Sequence, residues 1–311
     1  MTTPLISQEI FLLERYISLD YFDEMREAWR AMVDYTDDLL SRFMNNIPAD
    51  YRNRKLPEQP DIVWGERVLP NFRSITRLLD DAFIKLSHSD LEALDRSSGV
   101  TGGIHGQNDF WSGWMNEVEP GAQAKYSELL NVAGLKARPI DITSSGIWTQ
   151  GALTTDYDVV VGEPLNLPQT WPIYRLNPLV RVKSGDRVPQ TGIYLPDVDY
   201  GFPTLLLKSD DDMIGEASEA SVLVDPMVNR KKGYRATSWT LVERVADTSD
   251  ISTASPSITT AGSEPLRAKA GEPCPKAGFW TSQDTNVIEH RYKVGEIMAD
   301  LHSACVLQKT L

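Results

Sequence analysis

Apolar side chains recur at intervals of three and four residues through the segment from residue 20 to residue 46. This spacing matches the 3.6-residue period of an α-helix and predicts one amphipathic helix over the segment. The apolar face of such a helix belongs to a core, so this part of the chain is expected to pack against other helices. The apolar stripe consists of Phe22, Met25, Trp29, Met32, Val33, Leu39, Leu40 and Phe43.

The side of this helix opposite the stripe carries a row of carboxylates. Their spacing also follows whole helical turns, so they share one face. Most charged helix faces are merely solvated, which is one interpretation of the row. The formal net charge of −13 favours another, in which the carboxylates bind a basic protein partner. The row consists of Asp20, Glu24, Glu27, Asp34 and Asp38.

The acidity of the chain also limits its ligands. Nucleic acid binding needs clustered Lys and Arg, so we expect no direct contact with nucleic acid. A second acidic run, Asp210, Asp211 and Asp212, is either a solvated turn or a further contact for a cationic partner. No apolar run approaches the ~20 residues that span a bilayer, and no basic, apolar leader begins the chain. We therefore expect a cytoplasmic protein without a membrane partner.

The character of the sequence changes at Gly134. Before it, helical patterns occur at 6–17, in FRSITRLLDDAFIKL, after residues 89–92, and in AQAKYSELLNVAG, where Gly134 is expected to end the helix. After it, short β-branched and aromatic runs predict strands: IDITSSGIW, YDVVVG, NPLVRVKSG, TGIYL, FPTLLLK and YRATSWTLVERV. The predicted fold class is α+β, with a mostly helical N-terminal half followed by antiparallel β modules.

Four regions follow from this pattern. Residues 1–134 are predicted to form an acidic helical domain, and 135–245 a β-rich domain. Residues 246–266 are rich in Ser, Thr and Ala and predict a flexible linker or loop. Residues 267–311 are predicted to form a further β unit that packs on the β domain.

A twelve-residue unit occurs twice. Residues 183–194 read KSGDRVPQTGIY, and residues 269–280 read KAGEPCPKAGFW. Gly before an acid suits a tight turn, Pro suits the start or edge of a strand, and Gly before an aromatic lets backbones approach closely. The unit is therefore interpreted as a structural β module and not as a catalytic signature. Its marked residues are Gly185, Pro189, Gly192 and Tyr194 in the first copy, and Gly271, Cys274, Pro275, Gly278 and Trp280 in the second.

Candidate catalytic and metal sites are weak in this sequence. Cys274, His290, His302 and Cys305 lack the close ligand pairs of a structural zinc site. The run GVTGGIHGQNDFW lacks the Gly-Lys-Ser/Thr ending of a phosphate loop and predicts a flexible interhelical loop. Within it, His105 and Asp109 form a possible acid/base pair without a nearby nucleophile. The run DVDYG lacks the further carboxylates of a calcium loop. Since none of these motifs is complete, no metal ion or other cofactor is predicted.

The string AGEPCPKAGFW followed by YKVGEIM resembles a motif of immunity proteins from bacterial polymorphic-toxin and type VI secretion systems. That motif is a Gly-x-x-Cys-Pro-x-x-Gly-x-Trp element followed by Gly-Glu-x-Met-Pro. The resemblance is specific only in the last forty residues, and Ala299 replaces the final Pro. The matching residues are Gly271, Cys274, Pro275, Gly278, Trp280, Gly295, Glu296 and Met298.

The resemblance implies a cytoplasmic inhibitor that binds a cognate toxin, in particular a nuclease effector, and occludes its active site or blocks its assembly. It implies no catalytic residues and no cofactor, and a homodimer is compatible with it. Two alternatives remain open at this point. One is a hydrolase that uses a metal or the His105 and Asp109 pair, and the other is a structural component of a secretion apparatus.

Overall fold

The computed structural model describes residues 3–159, 162–211, 214–224, 232–246, 267–268, 278–282, 289–292 and 305–310. The contacts divide the chain into two compact units, Met1–Ser252 and Thr253–Leu311. Helices fill the N-terminal half and antiparallel sheets follow, which confirms the predicted α+β class.

Six α-helices lie in the first half of the chain. A π-helical turn, Asp61–Val68, leads directly into α3, and a 3₁₀ segment, Leu91–Ser97, leads directly into α4. Two shorter 3₁₀ turns, Tyr51–Asn53 and Leu56–Glu58, connect α2 to this part. The helices are α1 (Ser7–Tyr16), α2 (Leu19–Asn45), α3 (Leu69–Ser87), α4 (Ser98–Gln107), α5 (Met115–Val118) and α6 (Ala122–Ser144).

The predicted long helix is α2, and its N-terminus is capped by a side chain. The Ser18 hydroxyl accepts a hydrogen bond from the amide of Tyr21 at 3.2 Å, which satisfies one of the free N–H groups of the first turn. The side chains of the apolar stripe are buried, apart from the half-buried Leu40. This confirms the prediction that one face of α2 belongs to the core.

Residues 99–107 of the glycine-rich run lie in α4, so the prediction of a flexible loop was wrong for that part, whereas residues 108–111 form no helix. In α4, Gly103 is buried between two other helices. A Cβ atom at this position would lie 2.8 Å from Cδ1 of Ile75 and 3.0 Å from Cη2 of Trp29. The missing side chain is therefore what lets α4 approach α2 and α3, and this burial outweighs the low helix propensity of glycine.

Leucine at two neighbouring glycines of α4 should separate packing from helix propensity. At Gly103, we expect Leu to destabilise the protein by about 3 kcal/mol, because the site is already filled by Trp29 and Ile75. At Gly102, where no atom lies within 4 Å of an added Cβ, we expect Leu to stabilise it by roughly 0.5 kcal/mol. Urea denaturation of both variants measures the difference. Equal effects at the two positions would contradict the close packing of α4.

Helix α6 continues ten residues beyond Gly134, where the sequence pattern predicted its end. Gly134 lies inside the helix, and an added Cβ there would lie 2.8 Å from Cδ1 of Ile104 in α4. A buried stripe runs on through Ala133, Ala137 and Ile140 at helical spacing, so tertiary packing extends the helix. The helix also tolerates an internal proline, Pro139. The run from residue 140 to 148 was therefore wrongly predicted as a strand.

Among the described residues that follow there are ten strands, all paired antiparallel. The predicted strand over YDVVVG is not formed at residues 157–159, whereas the other four predicted runs contain strands. The strands are β1 (Ile173–Lys183), β2 (Gly192–Pro196), β3 (Thr204–Leu206), β4 (Ala220–Leu223), β5 (Lys232–Arg235), β6 (Ser238–Ala246), β7 (Arg267–Ala268), β8 (Gly278–Ser282), β9 (Glu289–Tyr292) and β10 (Cys305–Thr310).

The first sheet has the order β1-β6-β2-β3 and contributes side chains to a core on each face, although its edge strand β1 is mostly exposed. One face contributes Tyr174, Ile193 and Leu205 to the same apolar core as the helices. The opposite face contributes Tyr194 and Trp239 to a second, smaller core, and residues of the β4-β5 hairpin complete it. The helices and this sheet therefore share a core within the unit Met1–Ser252.

Helix α1 and Thr3, four residues before it, are tied to segments far along the chain. Thr3 donates to the carbonyl of Val198 through both its amide and its hydroxyl, at 3.0 and 2.6 Å. These bonds hold α1 against the first sheet and the segment that precedes it. The other long-range bonds of α1 are Gln8 to the carbonyl of Leu153 at 2.7 Å, Arg15 to that of Leu165 at 2.6 Å, and Tyr174 to the carboxylate of Glu14 at 2.6 Å.

The unit Thr253–Leu311 contains a second four-stranded sheet of order β7-β10-β8-β9. In it, β8 lies between β9 and β10, just as β2 lies between β3 and β6 in the first sheet. Both central strands begin at the glycine of the repeated unit, Gly192 in β2 and Gly278 in β8.

Candidate functional site

The carboxylate row predicted from the sequence forms one exposed face of α2. All five side chains are exposed, on the side of the helix opposite the buried stripe. The helical-wheel prediction of their arrangement is thus confirmed. The row runs along most of the helix, from Asp20 in the first turn to Asp38 near its C-terminal end.

Three carboxylates of the row form ion pairs within the chain. Glu24 accepts from Nζ of Lys136 on α6 at 2.6 Å. Glu27 pairs with Arg30 at 2.6 Å and with Arg26 at 3.0 Å, and Asp38 pairs with Arg42 at 3.3 Å, all within α2. These carboxylates are more than half exposed, so each such pair contributes about 1 kcal/mol or less and can be exchanged for an external partner.

The other two, Asp20 and Asp34, have no ion pair or hydrogen bond with any side chain that the structure describes. Asp20 lies in the first turn of α2, where the positive end of the helix dipole favours a carboxylate. Asp34 lies in the middle of the helix and has no such compensation. The charge of the row is therefore only partly neutralised by the chain itself.

Ion pairs fix α3 alongside α2 in an antiparallel arrangement. Towards one end, Asp80 of α3 lies 2.5 Å from Arg30 and 3.3 Å from Arg26. Towards the other end, Arg73 of α3 donates from Nε to Asp37 at 3.0 Å. Because opposite ends of the two helices are linked in this way, the outward sides of α2 and α3 form one continuous surface.

The second acidic run is only partly described. Asp210 and Asp211 are exposed, in a turn where the carbonyl of Asp211 accepts from the amide of Gly215 at 2.8 Å. Nearby, Arg187 donates to the carbonyl of Ser209 at 3.0 Å. Asp212 lies outside the described residues. The structure therefore does not bring this run together with the α2 row, and a role in partner binding stays a prediction.

The first copy of the repeated unit has the features of a packing module. Gly185 adopts a left-handed conformation, with φ of 87°, and its amide donates to the carbonyl of Ala217 at 2.8 Å. Tyr194 is fully buried in the second core, and its hydroxyl donates to the carbonyl of Gln190 at 2.6 Å. Gly192 lies where an added Cβ would be 2.6 Å from Cδ1 of Leu241. Pro189 is exposed between the turn and β2.

The second copy is described only in part. Gly271, Cys274 and Pro275 lie outside the described residues. Gly278 and Trp280 lie in β8, and Trp280 is paired with Leu307 of β10 and His290 of β9 along the backbone. The repeat as a whole and the resemblance that rests on its second copy thus stay predictions.

The candidate acid/base pair is not assembled. His105 lies in the last turn of α4 and is exposed, and Asp109 lies two residues beyond the helix and is also exposed. The His105 ring makes no hydrogen bond or ion pair with the described part of the chain, Asp109 included.

The four candidate zinc ligands are not brought together by what the structure describes. Cys274 and His302 lie outside the described residues, while His290 and Cys305 lie in β9 and β10, which are separated by β8. Throughout the described ranges, no three His, Cys, Asp or Glu side chains converge on a point that could hold a metal ion.

A charged cluster around Glu163 was not predicted. The Tyr21 hydroxyl donates to Glu163, and burial together with this bond raises the Tyr21 pKa well above its ordinary value. Lys136 and Arg15 lie 3.4 and 3.8 Å from the same carboxylate. The cluster holds the segment after α6 against α1, α2 and α6. Glu163 is 27 residues from Lys136, 142 from Tyr21 and 148 from Arg15, so no local pattern could have identified the cluster.

A buried carboxyl group, Glu9, was also missed. Its side chain is 2% exposed, at the start of α1, and Oε1 has no hydrogen-bond partner among the residues that the structure describes. Burial raises its pKa from 4.5 to about 8, and hydrogen bonds from the amide of Gly151 and the hydroxyl of Thr154 offset only part of this rise. The one sequence signal was its place beside Ile10 in a mostly buried helix.

None of the helices that the structure describes combines the length and apolar character needed to cross a bilayer. No protein-family model, curated protein or solved structure matches this chain.

Proposed function

We propose that this protein is an immunity protein, which binds a cognate secreted toxin, in particular a nuclease effector, and neutralises it in the cytoplasm. The observation that carries the proposal is the exposed carboxylate row of α2, in which Asp20 and Asp34 have no partner among the described residues. A nuclease must present positive charge to its nucleic acid substrate, so its substrate cleft is complementary to such a row. The terminal motif adds the resemblance to immunity proteins.

In this proposal the row both attracts the toxin and covers its cleft. Long-range attraction between the row and a basic cleft speeds the encounter, and the fixed helix then places several carboxylates against the cations that would otherwise bind phosphate. Helix α2 suits this role because its opposite face is anchored in the core, so the row is presented with little loss of conformational entropy on binding. Asp210 and Asp211 would serve as secondary contacts.

Removing the two unpaired charges of the row should slow binding of the toxin. For the double variant Asp20→Asn, Asp34→Asn, we expect the association rate constant with the product of a neighbouring toxin reading frame to fall about tenfold at low salt. Stopped-flow or surface plasmon resonance measures this rate. The matched control is Glu66→Gln, Glu128→Gln, which removes the same charge from exposed, unpaired carboxylates elsewhere.

Two results would separate the parts of this proposal. An equal loss of rate in the control variant would contradict the α2 row as the binding face but leave the inhibitor role intact. Failure of the wild-type chain both to bind the toxin and to rescue cells that express it would contradict the immunity function itself.

A further inference from the structure

Helix α3 presents apolar side chains to solvent beside the acidic row. Leu78 is 44% exposed and Ile84 58% exposed on its outward side. Together with Ala82 they line a shallow groove of about 380 Å³ between α3 and the 3₁₀ segment Leu91–Ser97. Exposed apolar side chains grouped in a groove are typical of a contact surface and not of a merely solvated helix.

Unpaired cations surround this groove. Lys85, Arg96 and Asp81 line the groove. Arg77 lies one helical turn before Asp81 on α3. None of the three cations has an ion pair or side-chain hydrogen bond with a residue that the structure describes. The outward side of α3 thus carries two unpaired cations, Arg77 and Lys85, and one exposed carboxylate, Asp81, next to the acidic row of α2, in a protein with a net charge of −13.

The ion pairs between α2 and α3 fix which charges lie at the same level along the two helices. Since Asp37 is level with Arg73, Asp34 is level with the turn that contains Arg77. Since Arg30 is level with Asp80, Glu27 and Glu24 are level with the turn that contains Lys85. Asp34 therefore has a cation of α3 at its height, and so do Glu24 and Glu27, with the carboxylate of Asp81 between the two cations.

We propose that a second copy of this chain docks on this α2–α3 face to form a two-fold symmetric homodimer. A two-fold axis parallel to the helices places α2 of one copy on α3 of the other without changing the level of any residue. Asp34 then faces Arg77 of the second copy, and Glu24 and Glu27 face Lys85 of the second copy. Leu78 and Ile84 lie between these charges, as the apolar centre of the interface.

Charge selects this symmetry over the alternative. A two-fold axis perpendicular to the helices would place α2 against α2 and bring the two acidic rows together, which is repulsive. The parallel axis instead places acidic side chains of α2 opposite basic side chains of α3. The symmetry forms each of these pairs twice in the dimer. The face is therefore complementary to itself, and a second copy fits it without requiring any residue from another protein.

The dimer covers the carboxylate row, so self-association and binding of another protein to that row exclude each other. The inference itself rests on the charges and the exposed apolar side chains, and it does not depend on the proposed function.

Sedimentation equilibrium of the full chain tests the dimer, at about 50 mM and about 500 mM salt, where screening of exposed charges differs strongly. We expect a concentration-dependent dimer at low salt that weakens at high salt. For Ile84→Asp, Arg77→Glu and Asp34→Lys, we expect the dissociation constant to rise at least about tenfold each. The double variant Asp34→Lys, Arg77→Glu restores opposite charges across the interface and should recover most of the dimer.

Matched controls are Lys183→Glu and Asp186→Lys, which reverse exposed, unpaired charges at the end of β1 and in the turn after it, and should leave the dissociation constant unchanged. Circular dichroism verifies that each variant is folded. A monomer at every concentration and salt would overturn the proposal. So would a dimer that Ile84→Asp leaves intact, or a double variant that is no tighter than its two single variants.

Discussion

Replacing Glu9 with glutamine should make this protein more stable in alkaline solution, by up to about 5 kcal/mol above pH 8. The Glu9 side chain is buried at the start of α1 without a cation beside it, and its pKa is raised to about 8. It therefore remains mostly protonated at neutral pH, and ionisation would place an uncompensated charge in the interior. Glutamine has nearly the same shape and never ionises.

The direction of the pH dependence follows from proton binding. In the unfolded chain Glu9 loses its proton near pH 4.5, but in the folded protein it keeps the proton until about pH 8. Between these values the folded state binds more protons, so the contribution of Glu9 to stability is fully present below pH 4.5 and is lost as the pH rises through 8. The wild-type free energy of unfolding should thus fall relative to the variant by about 1.4 kcal/mol per pH unit across this window.

Urea denaturation at several pH values between about 4 and 9 measures this difference. The control is Glu128→Gln, at an exposed carboxylate of α6, whose curve should run parallel to that of the wild type. Parallel curves for the wild type and Glu9→Gln would show that Glu9 titrates alike in both states, which would contradict its buried, unpaired position.

Truncating Trp29 to alanine should destabilise the protein by about 4 kcal/mol. Trp29 is fully buried in the middle of α2, its ring centre lies 5.0 Å from that of Phe72 on α3, and its Nε1 donates to the carbonyl of Phe72 at 3.3 Å. Gly103 of α4 closes the same site. The change removes contacts to α3 and α4 and leaves a cavity that these rigid neighbours cannot fill.

The control is Trp111→Ala. Trp111 is 45% exposed, and the bond it forms with Trp64 uses its backbone carbonyl, which the substitution keeps. We expect this change to cost less than about 1 kcal/mol. Thermal or chemical denaturation compares the two variants, and similar losses for both would contradict the packing of α2 against α3 and α4.

The elements that the sequence predicted well are those with a strong local period. In α2 the apolar stripe and the carboxylate row both repeat at helical spacing over 27 residues, so the helix and its two faces follow from the pattern alone. Likewise, short β-branched and aromatic runs bounded by Gly or Pro indicated β1 and β2. The exposed part of the candidate site was therefore predictable, because charge and periodicity are both local properties.

The errors lie where tertiary packing overrides local preference. Glycine in isolation argues for a loop at Gly103 or a helix end at Gly134, yet both are buried where helices approach too closely for a side chain. The state of Glu9 and the cluster around Glu163 depend on residues distant in sequence, and no window of the chain contains both partners. The alignment of α2 and α3 along their axes could not be predicted either, because ion pairs between distant parts of the chain fix it.

The long-range bonds of α1 set an order of events during synthesis. The residues that bond to this helix and to Thr3 before it lie 145 to 195 positions later in the chain, and Val198 is translated long after Thr3 has left the ribosome. Helix α1 is too short to be stable alone in water. It therefore lacks its native contacts until the later residues of the unit have been synthesised. The first helix to be synthesised is thus among the last to reach its native contacts.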